Sequence, residues 1–333
     1  METRKCRIAA GIYLICIGLV YGTVSGPVEL LPVIADALEN NLEKIRTWRG
    51  SAEYTYSIGI NMEDDHLFHE KGKESIDFLL DLEHEYYRNA GVFTAHEQWI
   101  NELPKAKRTS WREEAVVVGK TLYWLLPFSE DPNAAQAPRT LLIKRHESNY
   151  RGVKGEFFNP HAVIKGMVDD LPSQFRGRYE RFSKNLADPL LREIHVSREN
   201  NRITVYLAWP DTNEGIFGLT EETHIFDASK AFALIESRMK NALQEEIWQV
   251  SYTVFEGIFL PIKISYYSED RSTGYSKTES EVTIRTEMLN EVLEENERSI
   301  TLCKMGLRKG DYIVDYTKGG LHYPWDPDTS DLK

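Results

Sequence analysis

Cysteine is scarce in this chain. There are three, Cys6, Cys16 and Cys303, and the first two fall in an N-terminal apolar stretch that reads as a secretion signal. The mature chain then has no pair from which to build an intrachain disulfide. An exported domain in that position must rely on its apolar core, which a chain of this length can bury. Cys303, in "SITLCKMGL", has neither a CxxC partner nor a neighbouring histidine, and reads as a buried, inert thiol. Positive charge is also short. Against 52 Asp and Glu stand 40 Lys and Arg, a formal net charge of -12, which offers no long-range attraction for a phosphate backbone and argues against a nucleic-acid partner. Missing too are GxSxG, HExxH and a phosphate-binding glycine loop, and the serine and lysine side by side in "DASKAFALIE" lack the Ser-x-x-Lys spacing. These absences point away from an enzyme, and we expect no catalytic residue, no metal and no cofactor.

What is present begins with "METRKCR", carrying Arg4, Lys5 and Arg7, followed by the apolar "IAAGIYLICIGLVYG" and the small residues of "TVSG". Basic, apolar and small regions in that order are those of a signal peptide. The run is short for a membrane span of roughly 20 residues, although an uncleaved N-terminal anchor extended through Val24 is the alternative. We expect residues 1–25 to be removed, and 26–333 to form one domain outside the cytoplasm, periplasmic or extracellular. Cys16 follows Leu14 and Ile15 rather than the small residue of a lipoprotein signal, so lipidation is not expected.

Past the signal, Ile34, Leu38, Leu42, Ile45 and Trp48 recur at helical spacing, with Asp36, Glu39, Glu43, Lys44 and Arg46 on the other side. The spacing predicts an amphipathic helix that ends at Gly50. The period then changes to two: Ala52, Tyr54, Tyr56, Ile58, Ile60 and Met62 alternate with polar residues, as a half-buried strand does. Further strands are read at 76–83, in "HEYYRNA", and as a hairpin through Gly119 and Lys120 in "EEAVVVGKTLYWLLP". Strand signals weaken between 128 and 190, where inserted loops and short helices are expected, and resume in "LREIHVSRENNRITVYLAW". The segments "THIFDASKAFALIESRMK", "EEIWQVSYTVFEGIFLPIKISYYSE" and "SKTESEVTIRTEMLNEVLE" extend the series.

The order of helix, Tyr- and Ile-rich alternating strand in "LEKIRTWRGSAEYTYS", hairpin "VVVGKTLYWLLP" and late strand "EGIFLPIKISYY" resembles the LolA-like family, the periplasmic outer-membrane lipoprotein-sorting carriers and related exported proteins. "SITLCKMGLRKGDYIVDYTKGGLHY" resembles the closing segment of large exported members, so the likeness runs over most of residues 33 to 323. It implies an α+β, mainly antiparallel fold: a strongly curved, incomplete β-barrel with helices covering its concave face and an apolar cavity between. The residues agree by themselves, since the helix stripe needs an apolar surface to lie on. The side chains expected to line such a cavity are Leu38, Leu42, Ile45, Trp48, Tyr54, Tyr56 and Ile58.

Two clusters could carry chemistry instead. In "GDYIVDYTKGGLHYPW", Asp311, Asp315 and His322 lie close in sequence, but a strand would hold the carboxylates roughly 13 Å apart. A retaining glycosidase needs about 5 Å and an inverting one about 6.5 to 9.5 Å. Asp311 reads as a turn residue and Asp315 as a solvent-facing or edge position. His66 and His69, beside Glu63, Asp64, Asp65 and Glu70, read as an acidic turn rather than a zinc site. The expectation is a non-enzymatic envelope protein holding a lipid, an acylated polypeptide or another apolar ligand, with an envelope protein as a further partner. The alternatives are a secreted hydrolase using carboxylates from several strands, and a protein-docking scaffold.

Overall fold

The computed structural model describes residues 23–61, 67–99, 107–127, 138–146, 158–184, 193–210, 219–272, 275–298 and 305–327. The basic and apolar stretch of residues 1–22, His66 and Cys303 lie outside them. Within these bounds the strands are β1 Thr23–Ser25, β2 Thr47–Asn61, β3 Leu67–Asp81, β4 Tyr86–Trp99, β5 Lys107–Val118, β6 Thr121–Pro127, β7 Arg139–Arg145, β8 Glu193–Glu199, β9 Arg202–Pro210, β10 Leu219–Asp227, β11 Ala233–Lys240, β12 Gln244–Phe255, β13 Ile258–Asp270, β14 Tyr275–Leu289, β15 Tyr312–Asp315 and β16 Leu321–Pro324. The helices are α1 Leu30–Glu43, α2 Pro160–Val168, α3 Leu171–Ser183 and the single turn α4 Glu295–Arg298.

All strands join one open sheet in the order β1-β8-β9-β10-β11-β12-β13-β14-β2-β3-β4-β5-β6-β7-β15-β16. The pairing is antiparallel except at two places, β1 on β8 and β15 on β7. The fold class is thus α+β and mainly antiparallel, an incomplete barrel. The central seam joins β14 to β2 from Leu289 opposite Trp48 to Tyr275 opposite Asn61, bringing the last long strand against the first. Adjacent strands joined by short turns account for the rest, as their alternating patterns dictate.

Helices cover the inner face. α1 and α3 bury Leu31, Ile34, Ala35, Leu38, Leu171 and Phe175 against Ile194, Val205, Leu207 and Phe226 of β8–β10. α2 sets Val163 and Ile164 into a second cluster with Trp48, Phe78, Leu80, Ile264 and Val282. Its cap is built locally: Asn159 Oδ1 accepts from Ala162 N at 3.0 Å, and Pro160 opens the helix where a missing N–H costs nothing. Outside, β4–β7 are covered by the C-terminal segment, whose Leu307, Ile313 and Trp325 pack on Val116, Leu125 and Leu141. Coverage on both faces explains why "AVVV" and "TLLI" are continuous apolar runs and not alternations.

The helix ends earlier than its apolar spacing predicts. α1 stops at Glu43 and β2 begins at Thr47, so Trp48 belongs to the strand. Asn290 turns the chain: its Oδ1 accepts from Arg46 N at 2.7 Å and its Nδ2 donates to Lys44 O at 2.8 Å. Backbone groups at the end of the helix are thereby satisfied from β14's terminus, and continuing the helix to Gly50 would forfeit the pairing of β2. Trp48 then shares the inner face with Ala52 and Tyr54, its Nε1 donating to Thr286 Oγ1 at 3.1 Å and its ring edge-on to Phe78.

Candidate functional site

A cavity lies where the C-terminal half of α1 leaves the sheet. Leu38 and Leu42 on α1, with Ile45 just beyond it, form the roof. Ile164 and Val168 of α2 close one side, and Leu234 of β11, Tyr252 of β12 and Phe259 and Pro261 of β13 form the floor. Its volume is about 20 Å³, enough for a single water but not for an alkyl chain. Anything larger enters only if roof side chains turn away or α1 lifts.

Polar groups at the rim are few and neutral. Asn41 Nδ2 donates to Phe259 O at 3.1 Å, and Tyr252 OH donates to Leu234 O at 3.0 Å. Burial pushes the Tyr252 phenol upward, so it stays protonated. Burial also pushes His161, on α2, down to about 4, against the opposing effect of its hydrogen bond to the Leu42 backbone. His161 is therefore neutral at neutral pH and ties α2 to the roof helix. The local fold supplies the latch as well. β13 pairs with β14 only from Lys263 onward and is bulged opposite Ser251 and Tyr252. Residues 258–262, with Pro261 lacking an N–H, therefore have no β14 partner, and Phe259 and Pro261 among them line the cavity beneath α1.

Of the seven side chains expected to line a cavity, Leu38, Leu42 and Ile45 stand in this one. Trp48 and Tyr54 are buried in the central cluster of the inner face, and Tyr56 is half-buried against it. Ile58 is half-buried farther along β2, opposite Thr278 and Glu70, and does not reach the cavity. The floor from β11–β13 went unread as a site because it depends on long-range register; the one local signal was the proline inside "EGIFLPIKISYY".

The polar clusters have structural roles. Asp311 is buried, not merely a turn residue: it accepts from Arg139 N at 2.9 Å, Arg139 Nη2 at 2.8 Å and Arg308 N at 2.8 Å. Burial alone would raise its carboxyl, but these bonds together hold it below the ordinary value. Asp315 is buried too, where solvent or an edge was expected, because β15 lies between β7 and β16. It caps the following turn through Thr317 N at 3.0 Å. His322 is exposed on β16. His69 meets Ser57 Oγ at 3.1 Å; Glu63, Asp64 and Asp65 lie outside the described residues with His66. Among the described residues no three His, Cys, Asp or Glu converge as metal ligands. One series has the order of a hydrolytic triad: Ser237 Oγ is 3.1 Å from His224 Nδ1, and His224 Nε2 is 3.1 Å from Glu222 Oε2. The imidazole is buried at 4% exposure with the Phe175 ring 6.2 Å away, so it is shut off from solvent by α3.

No family model matches this chain, and no curated protein matches it. Solved structures do. A LolA superfamily protein from Nitrosomonas europaea is 11% identical, with 80% of this chain and 97% of that one covered at a TM-score of 0.32. A domain from Vibrio parahaemolyticus described as an outer membrane lipoprotein-sorting protein is 10% identical, with 82% and 97% covered and a TM-score of 0.30. A β-barrel-like protein of unknown function from Brucella abortus is 9% identical, with 73% and 100% covered and a TM-score of 0.28. The superfamily named among them is the one that the N-terminal helix, strand and hairpin resemble. At such TM-scores the likeness carries no argument about a ligand. Among the described residues no helix is long and apolar enough to cross a membrane.

Proposed function

We propose that this chain is a non-enzymatic exported protein that binds an apolar ligand, the acyl chain of a lipid or of an acylated polypeptide, beneath α1. The observation that supports it is the composition of the roof and floor: Leu38, Leu42, Ile45, Ile164, Val168 and Phe259 meet around a cavity whose rim polar groups are uncharged. An alkyl chain placed there loses its contact with water and strands no charge. The first half of α1 is anchored in the core by Leu31, Ile34 and Ala35, and the polar contacts of the helix are ones that can be exchanged. Asn41 gives one hydrogen bond to β13, and Arg176 of α3 forks onto Asp36 and Glu39 on the exposed side of α1. Exposed ion pairs of this kind are screened by solvent and contribute little.

The test is direct. Purified protein without residues 1–22 is titrated with a fluorescent C12 to C16 fatty-acid analogue, and lipid extracts of the freshly isolated protein are examined by mass spectrometry. Saturable binding at one site, abolished by Leu42→Trp filling the roof, supports the reading. An absence of both probe binding and co-purified lipid overturns it.

A further inference from the structure

The register of β10–β14, β2 and β3 sorts the inner face into rows. Nearest the helices stand Val250, Ile264, Val282, Tyr54 and, on β3, the buried Glu74. In the next row His224, Ser237, Trp248, Tyr266, Ser280, Tyr56 and Gly72 are consecutive partners across seven strands. The row beyond runs Glu222, Met239, Glu246, Ser268, Thr278, Ile58 and Glu70. On β12 and β13 the face therefore passes from aliphatic through aromatic to polar.

The aromatic row is built to keep its rings in place. Trp248 and Tyr266 pack with centroids 4.4 Å apart, and Tyr54 stacks on Tyr56 at 5.6 Å. Tyr56 lies over Gly72, where a Cβ would stand 2.0 Å from the ring. Three carboxylates of the outer row each meet a ring heteroatom of the aromatic row. Trp248 Nε1 donates to Glu246 Oε1 at 3.0 Å, Tyr56 OH donates to Glu70, and His224 Nε2 faces Glu222 Oε2. Each carboxylate keeps further lone pairs. No Lys or Arg occurs in the three rows. The lysines of these strands lie on the opposite face, Lys263 paired with Glu281, Lys277 with Glu279 and Lys73 with Glu53.

We propose that the part of this belt formed by Trp248 and Tyr266 and bordered by Glu246 is a second binding site, and that it takes a cationic ammonium group. Half-buried rings and a carboxylate with no Lys or Arg in the described rows around it are the two features that recognise such a cation, and a carboxylate or phosphate headgroup would be repelled by Glu246. The site rests on the proposed function for its place in a larger ligand: with an acyl chain under α1, the belt would receive the positively charged end of the same molecule. An ammonium group could equally come free of any chain, and the test separates the two.

Calorimetric titrations compare dodecyltrimethylammonium, dodecanoate and neutral dodecanol, all below their aggregation limits, with tetramethylammonium. The expected result is about tenfold tighter binding of the cationic dodecyl probe than of the other two, with a shift in Trp248 fluorescence. Glu246→Gln should abolish the preference while leaving dodecanol binding and the melting temperature unchanged. Glu279→Gln, on the outer face, removes the same charge and should leave the preference intact. Equal affinity for all three dodecyl probes, or equal loss in both variants, overturns the belt and leaves the cavity reading standing. Cation binding that needs Glu246 but survives Leu42→Trp, or is matched by tetramethylammonium, supports the belt and sinks the acyl cavity. No binding of any probe overturns both.

Discussion

Asn41 Nδ2 donates to the Phe259 carbonyl at 3.1 Å, joining residues 218 positions apart and pinning the roof helix to the floor of the cavity. The bond is part-buried, so losing it costs about 1 kcal/mol and leaves an acceptor to find water. Asn41→Ala should lower the melting temperature slightly and speed the association of an acyl probe, read by stopped-flow fluorescence. Unchanged association with lowered stability would mean that α1 does not gate entry.

Leu42 gives the sharper contrast. Truncating a side chain in a closed core costs roughly 2 to 5 kcal/mol. Ile264 has no exposure and stands in the central cluster, whereas Leu42 is half-buried over a space that already exists. Leu42→Ala should therefore destabilise less than Ile264→Ala in denaturant titrations, and should alter acyl-probe affinity where Ile264→Ala acts through stability alone. Equal losses, with probe affinity unmoved, would make the roof ordinary core.

How much of this could be read from residue order differs by element. The alternation Ala52, Tyr54, Tyr56 announced β2, and "VVVGKTLYWLLP" announced a hairpin, because both signals are local. Leu38, Leu42 and Ile45 were legible as a roof for the same reason. The end of α1 was not, since Ile45 and Trp48 keep helical spacing while Asn290, 244 residues away from Arg46, turns the chain. Asp315 was misread because an edge is defined by what pairs beyond it, and β16 does. The belt was invisible for a deeper reason: Trp248, Tyr266 and Tyr56 fall in one row only when the register of four strands is known.

His161 predicts a pH dependence with a definite sign. Its folded value is depressed to about 4 by burial, below the ordinary value of 6.5. The unfolded chain therefore takes up the proton first. Stability from the neutral imidazole is complete above about 6.5 and is lost as pH falls toward about 4. Melting temperatures followed from pH 7.5 to 4.5 should fall more steeply in the parent than in His161→Asn, which cannot titrate. Parallel curves would remove His161 from the account.

Asp311 makes a prediction about the outer layer. Its carboxylate joins the start of β7 to the C-terminal segment through three donors, and it is 3% exposed. Breaking a buried, hydrogen-bonded pair by removing one charge costs about 3 to 5 kcal/mol. Asp311→Asn should loosen residues 305–327 from β7, seen as early proteolysis or faster amide exchange there, while leaving acyl-probe binding intact. Loss of probe binding would show that the outer layer and the cavity are coupled.

The remaining prediction concerns where the mature chain begins. Removal near residue 25 was expected from the small residues of "TVSG", yet Thr23, Val24 and Ser25 pair with Glu193, Ile194 and His195, and Ser25 Oγ lies 2.6 Å from His195 Nδ1. Gly26 follows at φ +86°, with the position of a Cβ only 1.7 Å from Val196 O, so no other residue fits the crossing from β1 to α1. A cut after Ser25 would discard β1 and leave the edge of β8 bare. Val20 and Gly22 also give small residues at the positions a signal peptidase reads, and a cut after Gly22 leaves β1 whole. We propose that the exported chain keeps β1. Intact-mass measurement and N-terminal sequencing of the secreted protein should return a start at or before Thr23. A start at Gly26 would show that β1 is dispensable, and Gly26→Ala should then be tolerated. With β1 retained, Gly26→Ala should instead clash with β8 and lower the melting temperature markedly.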